Sequence, residues 1–184
     1  GSGQFEFVVS TDSGFAVFEN NSDDSAETNN AARLIRTSAA DLSVQGLRVT
    51  SAAIAAGDTV TVEWTDRNDG AAPTPAGWSD RVIVRNLGSG EILLDRAVAY
   101  DPTLTGNSAL AAGGTLARST SFTLPDGQRG AGQIQVQVIA DANTSGQSAL
   151  PEFTPAGDRA ENNNSATIAF TSAQRSYADL RISQ

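Results

Sequence analysis

Residues 132–141 carry the pattern that decides the fold, and they read GQIQVQVIAD. The apolar residues Ile134, Val136 and Val138 alternate with glutamines, which is the period of a β-strand with one buried face. The same alternation recurs in TVTVEW (59–64), RVIVR (81–85) and ATIAF (166–170). No stretch of the sequence repeats apolar residues at helical spacing, so the chain is predicted to be all-β.

Turn-forming residues separate these strands, as in Asn68-Asp69-Gly70, Gly113-Gly114 and Pro125-Asp126-Gly127. Short strands at such spacing predict an antiparallel β-sandwich of about seven to nine strands, with a barrel as the alternative. In DLSVQGLRV (41–49) the apolar positions change parity around Gly46. This change predicts a β-bulge at that glycine.

The composition excludes several classes of function. The 12 basic and 21 acidic residues give a net charge of -9, which argues against nucleic acid and anionic membrane as partners. Histidine, cysteine, methionine and lysine are absent, so the usual catalytic triads, thiolate or imidazole metal sites and disulfides are excluded. The 39% of hydrophobic residues suffice for a core but form no run near the ~18 that span a membrane. The lack of methionine predicts a piece of a longer chain.

An internal repeat is the next informative feature. The opening GSGQFEFVVSTD (1–12) matches GAGQIQVQVIAD (130–141) at an offset of 129 positions. AETNNAA (26–32) matches AENNNSA (160–166) at an offset of 134, and Ala40-Asp41-Leu42 matches Ala178-Asp179-Leu180 at 138. Three ordered matches predict tandem repeats of domain size.

The matches also set the predicted domain boundaries. Residues 1–39 are the C-terminal hairpin of a preceding repeat, 41–176 are a complete sandwich, and 177–184 are the first strand of a following repeat. The alternative is one domain that contains two similar hairpins.

A series of short motifs follows in a fixed order: DLSVQGLRVT (41–50), Gly57-Asp58, TVTVEW, Asn68 with Gly70, WSDRV (78–82), LPDG (124–127), GQIQVQVIAD and Glu161 with Asn163-Asn164. Through these motifs the stretch 41–172 resembles the CARDB domain, a cell-adhesion-related domain found in bacteria. The resemblance implies an immunoglobulin-like sandwich, strung in tandem in large bacterial surface or secreted proteins, that spaces or presents other domains. The implied partners are neighbouring repeats, with any host-surface or matrix ligand bound by other domains. The implied location is extracellular or on the bacterial cell surface.

Acidic and amide side chains gather near the repeat boundary in both copies. Their oxygens are the ligands that calcium prefers, so they predict a calcium site. The predicted set is Asp141, Glu152, Asp158, Glu161 and Asn163, with first-copy equivalents Asp12, Glu19, Asp24, Glu27 and Asn29. Asp41 and Asp179 are a second candidate pair. The alternative is that these residues only shape turns through their own backbone.

Trp78 is the candidate ligand-binding residue, since it follows Pro75-Ala76-Gly77 in a loop and aromatic faces stack on sugar rings. Packing in the core is the alternative. No pattern places two carboxylates about one cleft, as glycoside hydrolysis requires, so the chain is predicted not to be an enzyme. The predicted function is a non-catalytic spacer or adhesion repeat. The alternative is a carbohydrate- or protein-binding module.

Overall fold

The chain folds into nine β-strands in a computed structural model that describes residues 3–14, 16–23, 25–154 and 156–176. Two short 3₁₀ turns, Ala26–Thr28 and Gly127–Arg129, accompany them. The strands are β1 (Gly3–Ser10), β2 (Ala31–Ser38), β3 (Leu42–Val49), β4 (Thr59–Asn68), β5 (Trp78–Asn86), β6 (Ile92–Tyr100), β7 (Thr115–Thr123), β8 (Gly132–Ile139) and β9 (Ser165–Ser172). No helix in the described part of the chain is long and apolar enough to cross a membrane.

Seven of these strands form an antiparallel sandwich. One sheet has the order β3-β4-β7 and the other the order β6-β5-β8-β9. Constant-type immunoglobulin domains, with strands lettered A to G, pair A-B-E-D in one sheet and C-F-G in the other. With β3 as strand A, only the fourth strand, β6, has changed sheets here. The predicted fold class, an immunoglobulin-like sandwich, is therefore confirmed, and the barrel alternative is not.

The core lies between the two sheets and follows the alternation in the sequence. Along β4, Val60, Val62 and Trp64 are buried, while the residues between them are partly or fully exposed. The inward positions 134, 136 and 138 of β8 are buried in the same way on the facing sheet. Each fully buried aliphatic side chain contributes ~1.5–3 kcal/mol, so this layer supplies most of the stabilisation.

The predicted β-bulge is present in β3. The pairing of β3 with β4 shifts register between Gln45 and Arg48, and Gly46 has a φ of 61°. Glycine adopts this left-handed conformation without a steric penalty. The bulge allows Val44 before it and Leu47 after it to pack against the same core.

The remaining two strands form a separate hairpin. Within the described residues, β1 and β2 pair with each other and with no further strand. From β2 the chain passes through residues 39–41 directly into β3. Residues 177–184, assigned to a following repeat, lie outside the described residues, and so does Asp179.

Candidate functional site

The connection between the hairpin and the sandwich is short and buried. Ala39 and Ala40 are 0% exposed, and Asp41 is buried beside them. The Ala72 N–H donates to the Ala39 carbonyl at 3.0 Å, and the Phe153 N–H donates to the Ala40 carbonyl at 3.1 Å. We call residues 39–42 the junction. Because two separate loops of the sandwich hold its backbone, the junction has little freedom to swing.

Glu152 holds one side of the junction. Its side chain is buried, with Oε1 accepting the Leu42 N–H at 2.8 Å and Oε2 accepting Nδ2 of Asn164 at 2.5 Å. Burial raises the pKa of Glu152 to about 7, although the hydrogen bonds from Asn164 and Leu42 act in the opposite direction. The carboxyl group therefore fixes the start of β3 to the loop that precedes β9.

Asn68 holds the other side. Its Oδ1 accepts the N–H groups of Asp41 and Gly70, both at 3.1 Å. Its Nδ2 donates to the carbonyl groups of Ala72 at 2.8 Å and Leu110 at 2.9 Å. All of the side chain's donors, and both acceptor positions, are thus occupied. A buried amide satisfied in this way ties the junction to the loop that follows β4 and to the backbone at Leu110.

Asp41 adds a third tie. Its Oδ1 accepts Nδ2 of Asn163 at 2.6 Å, so the consecutive asparagines 163 and 164 bond to Asp41 and Glu152 respectively. Hydrogen bonds to charged groups contribute about 1.5–3 kcal/mol each. The sequence singled out Asp41, Glu152 and Asn163 as calcium ligands, and the structure brings all three to the junction.

The predicted calcium set is otherwise spread out. Asp141 lies at the end of β8, where its carboxylate accepts the N–H groups of Ala149 and Leu150. Asp158 and Glu161 are exposed in the loop before β9. In the part of the chain that the structure describes, no three carboxylates are placed to hold one metal ion.

Two of these acids do interact. Burial is the main cause that raises the pKa of Asp141 to about 6, and the charge of Glu161 adds to the effect.

In the first copy, Asp12 and Asn29 are described, and Glu19 is half-buried. Asp24 lies outside the described residues, as does the side chain of Glu27.

The two hairpins share their backbone geometry. Gly3 pairs with Ser38 as Gly132 pairs with Ser172, and the offsets of 129 and 134 positions keep that register along both pairs of strands. The Thr11 N–H donates to the Asn30 carbonyl at 2.8 Å, and the Ala140 N–H donates to the Asn164 carbonyl at the same distance.

The turn after each first strand is also the same. Asp12 has a φ of 41° and Asp141 a φ of 46°, a left-handed conformation that is uncommon for residues other than glycine. Each carboxylate accepts two backbone N–H groups from the following loop, those of Ala16 and Val17 or of Ala149 and Leu150. The loops themselves differ in length.

A buried acid pair, which the sequence analysis did not find, lies in the sandwich. Asp66 on β4 and Asp80 on β5 are fully buried, with Arg118 of β7 beside them. Arg118 Nε lies 2.9 Å from Asp80 Oδ2 and 3.5 Å from Asp66 Oδ2. The Trp64 Nε1–H donates to Asp80 at 3.2 Å and the Trp78 Nε1–H to Asp66 at 3.4 Å. The cluster therefore joins both sheets.

Two carboxyl groups with one guanidinium leave one negative charge uncompensated unless a proton is bound. Burial, and then the charge of Asp80, raises the pKa of Asp66 to about 8. Burial also raises the pKa of Asp80, while Arg118 favours its ionised form. The raised pKa values favour one proton bound to the pair of carboxyl groups, and Arg118 balances the remaining negative charge. The buried cluster then carries no net charge, which avoids the large cost of an unpaired buried ion.

The sequence contains a signal for this pair. Asp66 is in phase with Val62 and Trp64, and Asp80 is in phase with Val82. Inward positions on neighbouring strands therefore carry charged residues, which is unusual in a core. The turn predicted at Asn68-Asp69-Gly70 begins after Asn68, because β4 continues to that residue.

Trp78 is 3% exposed. Its ring centroid lies 4.6 Å from that of Tyr100 at an angle of 47°, and its indole N–H is bonded to Asp66. The ring face is therefore not available to stack on a sugar, in agreement with the packing alternative. An open groove of about 580 Å³ borders Trp78, and most of its other lining residues lie in loops, among them Asp141, Asn143 and Gln147.

No protein-family model and no curated protein matches the chain. Among solved structures, the CARDB domain of a Pyrococcus furiosus protein in complex with di-metal ions gives a TM-score of 0.45 at 16% identity, over 73% of this chain and 90% of that one. A solution structure of that CARDB domain gives 0.46 at 15% identity, over 76% and 100%. The β-glucosidase 3B of Thermotoga neapolitana in complex with α-D-glucose gives 0.40 at 13% identity, over 73% and 16%. The CARDB domain is also the family that the sequence of residues 41–172 resembles.

Proposed function

We propose that the chain is a non-catalytic spacer repeat of a large bacterial surface or secreted protein, located outside the cell, with rigid connections between successive sandwiches. The observation that carries the proposal is the buried junction, whose residues Ala39 and Ala40 are bonded to two loops of the sandwich. A spacer has to transmit direction from one domain to the next. Exposed Gly/Ser linkers lack this property, because they behave as flexible coils.

The hairpin supports the tandem arrangement that a spacer needs. Its register, its Asp12 turn and its Thr11–Asn30 bond repeat those of β8–β9. A repeated hairpin ahead of a complete sandwich is expected where one repeat ends and the next begins. The partners of the chain in this proposal are neighbouring copies.

The polar groups of the sandwich support a non-catalytic role. A general acid and its partner have to reach a substrate, yet Asp66 and Asp80 are buried in the core with Arg118. The groove beside Trp78 exposes polar loop groups and no aromatic face. Sugar-binding modules rely on such faces, so this surface favours the spacer over the binding module.

Calcium is a further proposal for the same region. Burial is the main cause of the raised pKa of Asp141, and the negative charge of Glu161 adds to it. A cation between the two carboxylates would remove that repulsion. Such a site would stiffen the loop whose asparagines hold the junction.

The rigidity of the junction is testable by residual dipolar couplings of the backbone amides. The hairpin and β4 are expected to share one alignment tensor. A Gly-Ser-Gly-Ser insertion between Ala39 and Ala40 should give the hairpin a tensor of its own, while the same insertion in the exposed loop at Gly106 should leave the shared tensor unchanged. Independent tumbling of the hairpin in the unaltered chain would overturn the spacer proposal.

A further inference from the structure

The hairpin presents an uncovered apolar face. Phe5, Phe7 and Val9 on β1 are 38%, 55% and 67% exposed, and Leu34 on β2 is 47% exposed. They lie on one side of the hairpin, because alternate residues of a strand share a face and Phe7 pairs with Leu34. We call these four residues the hairpin face. Soluble monomers rarely expose contiguous apolar patches of large size, so the hairpin face is a candidate interaction surface.

An unpaired strand edge lies beside this face. Among the described residues β1 pairs with β2 alone, whereas its counterpart β8 pairs with β9 on one side and with β5 on the other. A strand whose outer N–H and C=O groups lack a ladder is a template for a further strand. The surface therefore offers both apolar side chains and a backbone edge.

The β8–β9 hairpin shows what covers such a surface. Val136 and Ile168 occupy the places of Phe7 and Leu34, and Val136 is fully buried. Its face packs in a core that β3, β4 and β7 complete, while β5 extends the sheet along the edge of β8. All of these covering strands belong to residues 40–131.

We propose that the hairpin face and the free edge of β1 bind the segment that corresponds to residues 40–131 in another copy of this repeat, so that the hairpin closes a second sandwich. The inference rests on the tandem arrangement in the proposed function and names the partner surface. A lone two-stranded hairpin is marginal in water, and the partner supplies the core that this one lacks.

The side chains also define which copy is preferred. Phe5 and Phe7 stand where β8 has Ile134 and Val136. Two phenyl rings need more space, and overpacking a core is destabilising. The preferred partner therefore has smaller side chains opposite these positions than the present sandwich has.

The experiment adds a second copy of residues 40–131 ahead of the chain, with Ala131 joined directly to Gly3, the counterpart of Gly132. One version keeps the hairpin face, a second carries Phe5→Ile and Phe7→Val to match the added sheet, and a third carries Phe7→Asp. Amide hydrogen exchange of β1 and protease resistance of the added segment are measured. The chain without the addition is the reference.

In the matched version the added segment is expected to resist protease, and the β1 amides to exchange at least ~100-fold more slowly than in the reference. The version with both phenylalanines should show a smaller gain, and Phe7→Asp should show none. An added segment that stays protease-sensitive in the matched version overturns the proposal. A second result would also overturn the proposal: the reference chain forms a dimer, and Phe7→Asp dissociates that dimer. The partner of the hairpin face would then be a whole second chain and not the added segment. Neither result alters the dipolar couplings across the junction, which test the spacer proposal separately.

Discussion

In the β8–β9 hairpin Val136 is fully buried, whereas Phe7, at the same place in β1–β2, is 55% exposed. The two hairpins nevertheless have the same register, the same closing hydrogen bond and the same aspartate turn. The backbone of the hairpin is therefore determined by local sequence, by the alternation of apolar residues and by the turn residue. Burial depends instead on the sheet that covers the hairpin, which is specified elsewhere in the chain.

Aspartate substitutions at the equivalent positions 136 and 7 should show the largest difference in stability between the two hairpins. Val136→Asp buries an unpaired charge and is expected to cost more than ~4 kcal/mol, enough to unfold the sandwich. Phe7→Asp changes an exposed side chain and is expected to cost less than ~1 kcal/mol. Urea unfolding followed by the fluorescence of Trp64 and Trp78 measures both. Equal losses would contradict the assignment, because they would mean that Phe7 is covered in the isolated chain.

The corresponding glutamates of the two copies should also differ in their contribution to stability, with the larger contribution again in the sandwich. Glu152→Ala leaves the Leu42 N–H and the Asn164 amide without their acceptor, and should cost about 2–4 kcal/mol. Glu19→Ala, at the corresponding place in the first copy, lies outside the sandwich and should change its stability by less than ~0.5 kcal/mol. Urea midpoints of the two variants provide the measurement. An unchanged urea midpoint in Glu152→Ala would show that the carboxylate does not hold the junction.

The sandwich could be predicted from the sequence because the patterns that specify it lie within short stretches of the chain. Inward residues such as Val60 and Val62 recur at every second position, and Gly46 marks the bulge where the phase changes. The hydrogen-bond partners in the candidate site are distant along the chain. Glu152 bonds to Leu42, 110 positions away, so its position in a long polar loop gave no indication of burial. Periodicity shows which face a residue occupies but not which residue it meets.

The acid pair is a further case of this limit. The phase of Asp66 and Asp80 places both side chains in the core, yet nothing local indicates that Arg118 arrives from a third strand to pair with them. Trp78 begins β5, the third strand of the sandwich, and immunoglobulin domains carry a buried tryptophan on that strand. Its burial was therefore predictable from the fold, although not from the loop residues that precede it.

The pH dependence of stability should reside in the sandwich. Burial raises the folded-state pKa of Glu152 to about 7 and of Asp66 to about 8, so the folded state binds more protons than the unfolded state above pH ~4. Stability is then greatest at low pH and falls as pH rises to about 8, by up to ~1.4 kcal/mol per pH unit for each group. Glu152→Gln should remove the contribution of Glu152 to the slope, between pH ~4 and ~7, and Asp66→Asn should remove that of Asp66, between pH ~4 and ~8. Urea midpoints between pH 4.5 and 8.5 measure this, and slopes that both variants leave unchanged would contradict the assignment.

Calcium should have the smallest effect, and it should be confined to the second copy. The charge of Glu161 adds to the raised pKa of Asp141, so a cation bound between the two carboxylates would remove their repulsion and stabilise the folded state. Extracellular sites bind at ~10⁻⁴–10⁻³ M, so 1 mM calcium adds about 0.4–1.4 kcal/mol, or about 1–5 °C in melting temperature. Glu161→Gln should abolish the shift, whereas Glu6→Gln, on the hairpin and away from the loop acids, should retain it. Equal melting temperatures in calcium and in chelator would leave Asp141 as a turn residue whose carboxylate serves Ala149 and Leu150 alone, as the carboxylate of Asp12 serves Ala16 and Val17.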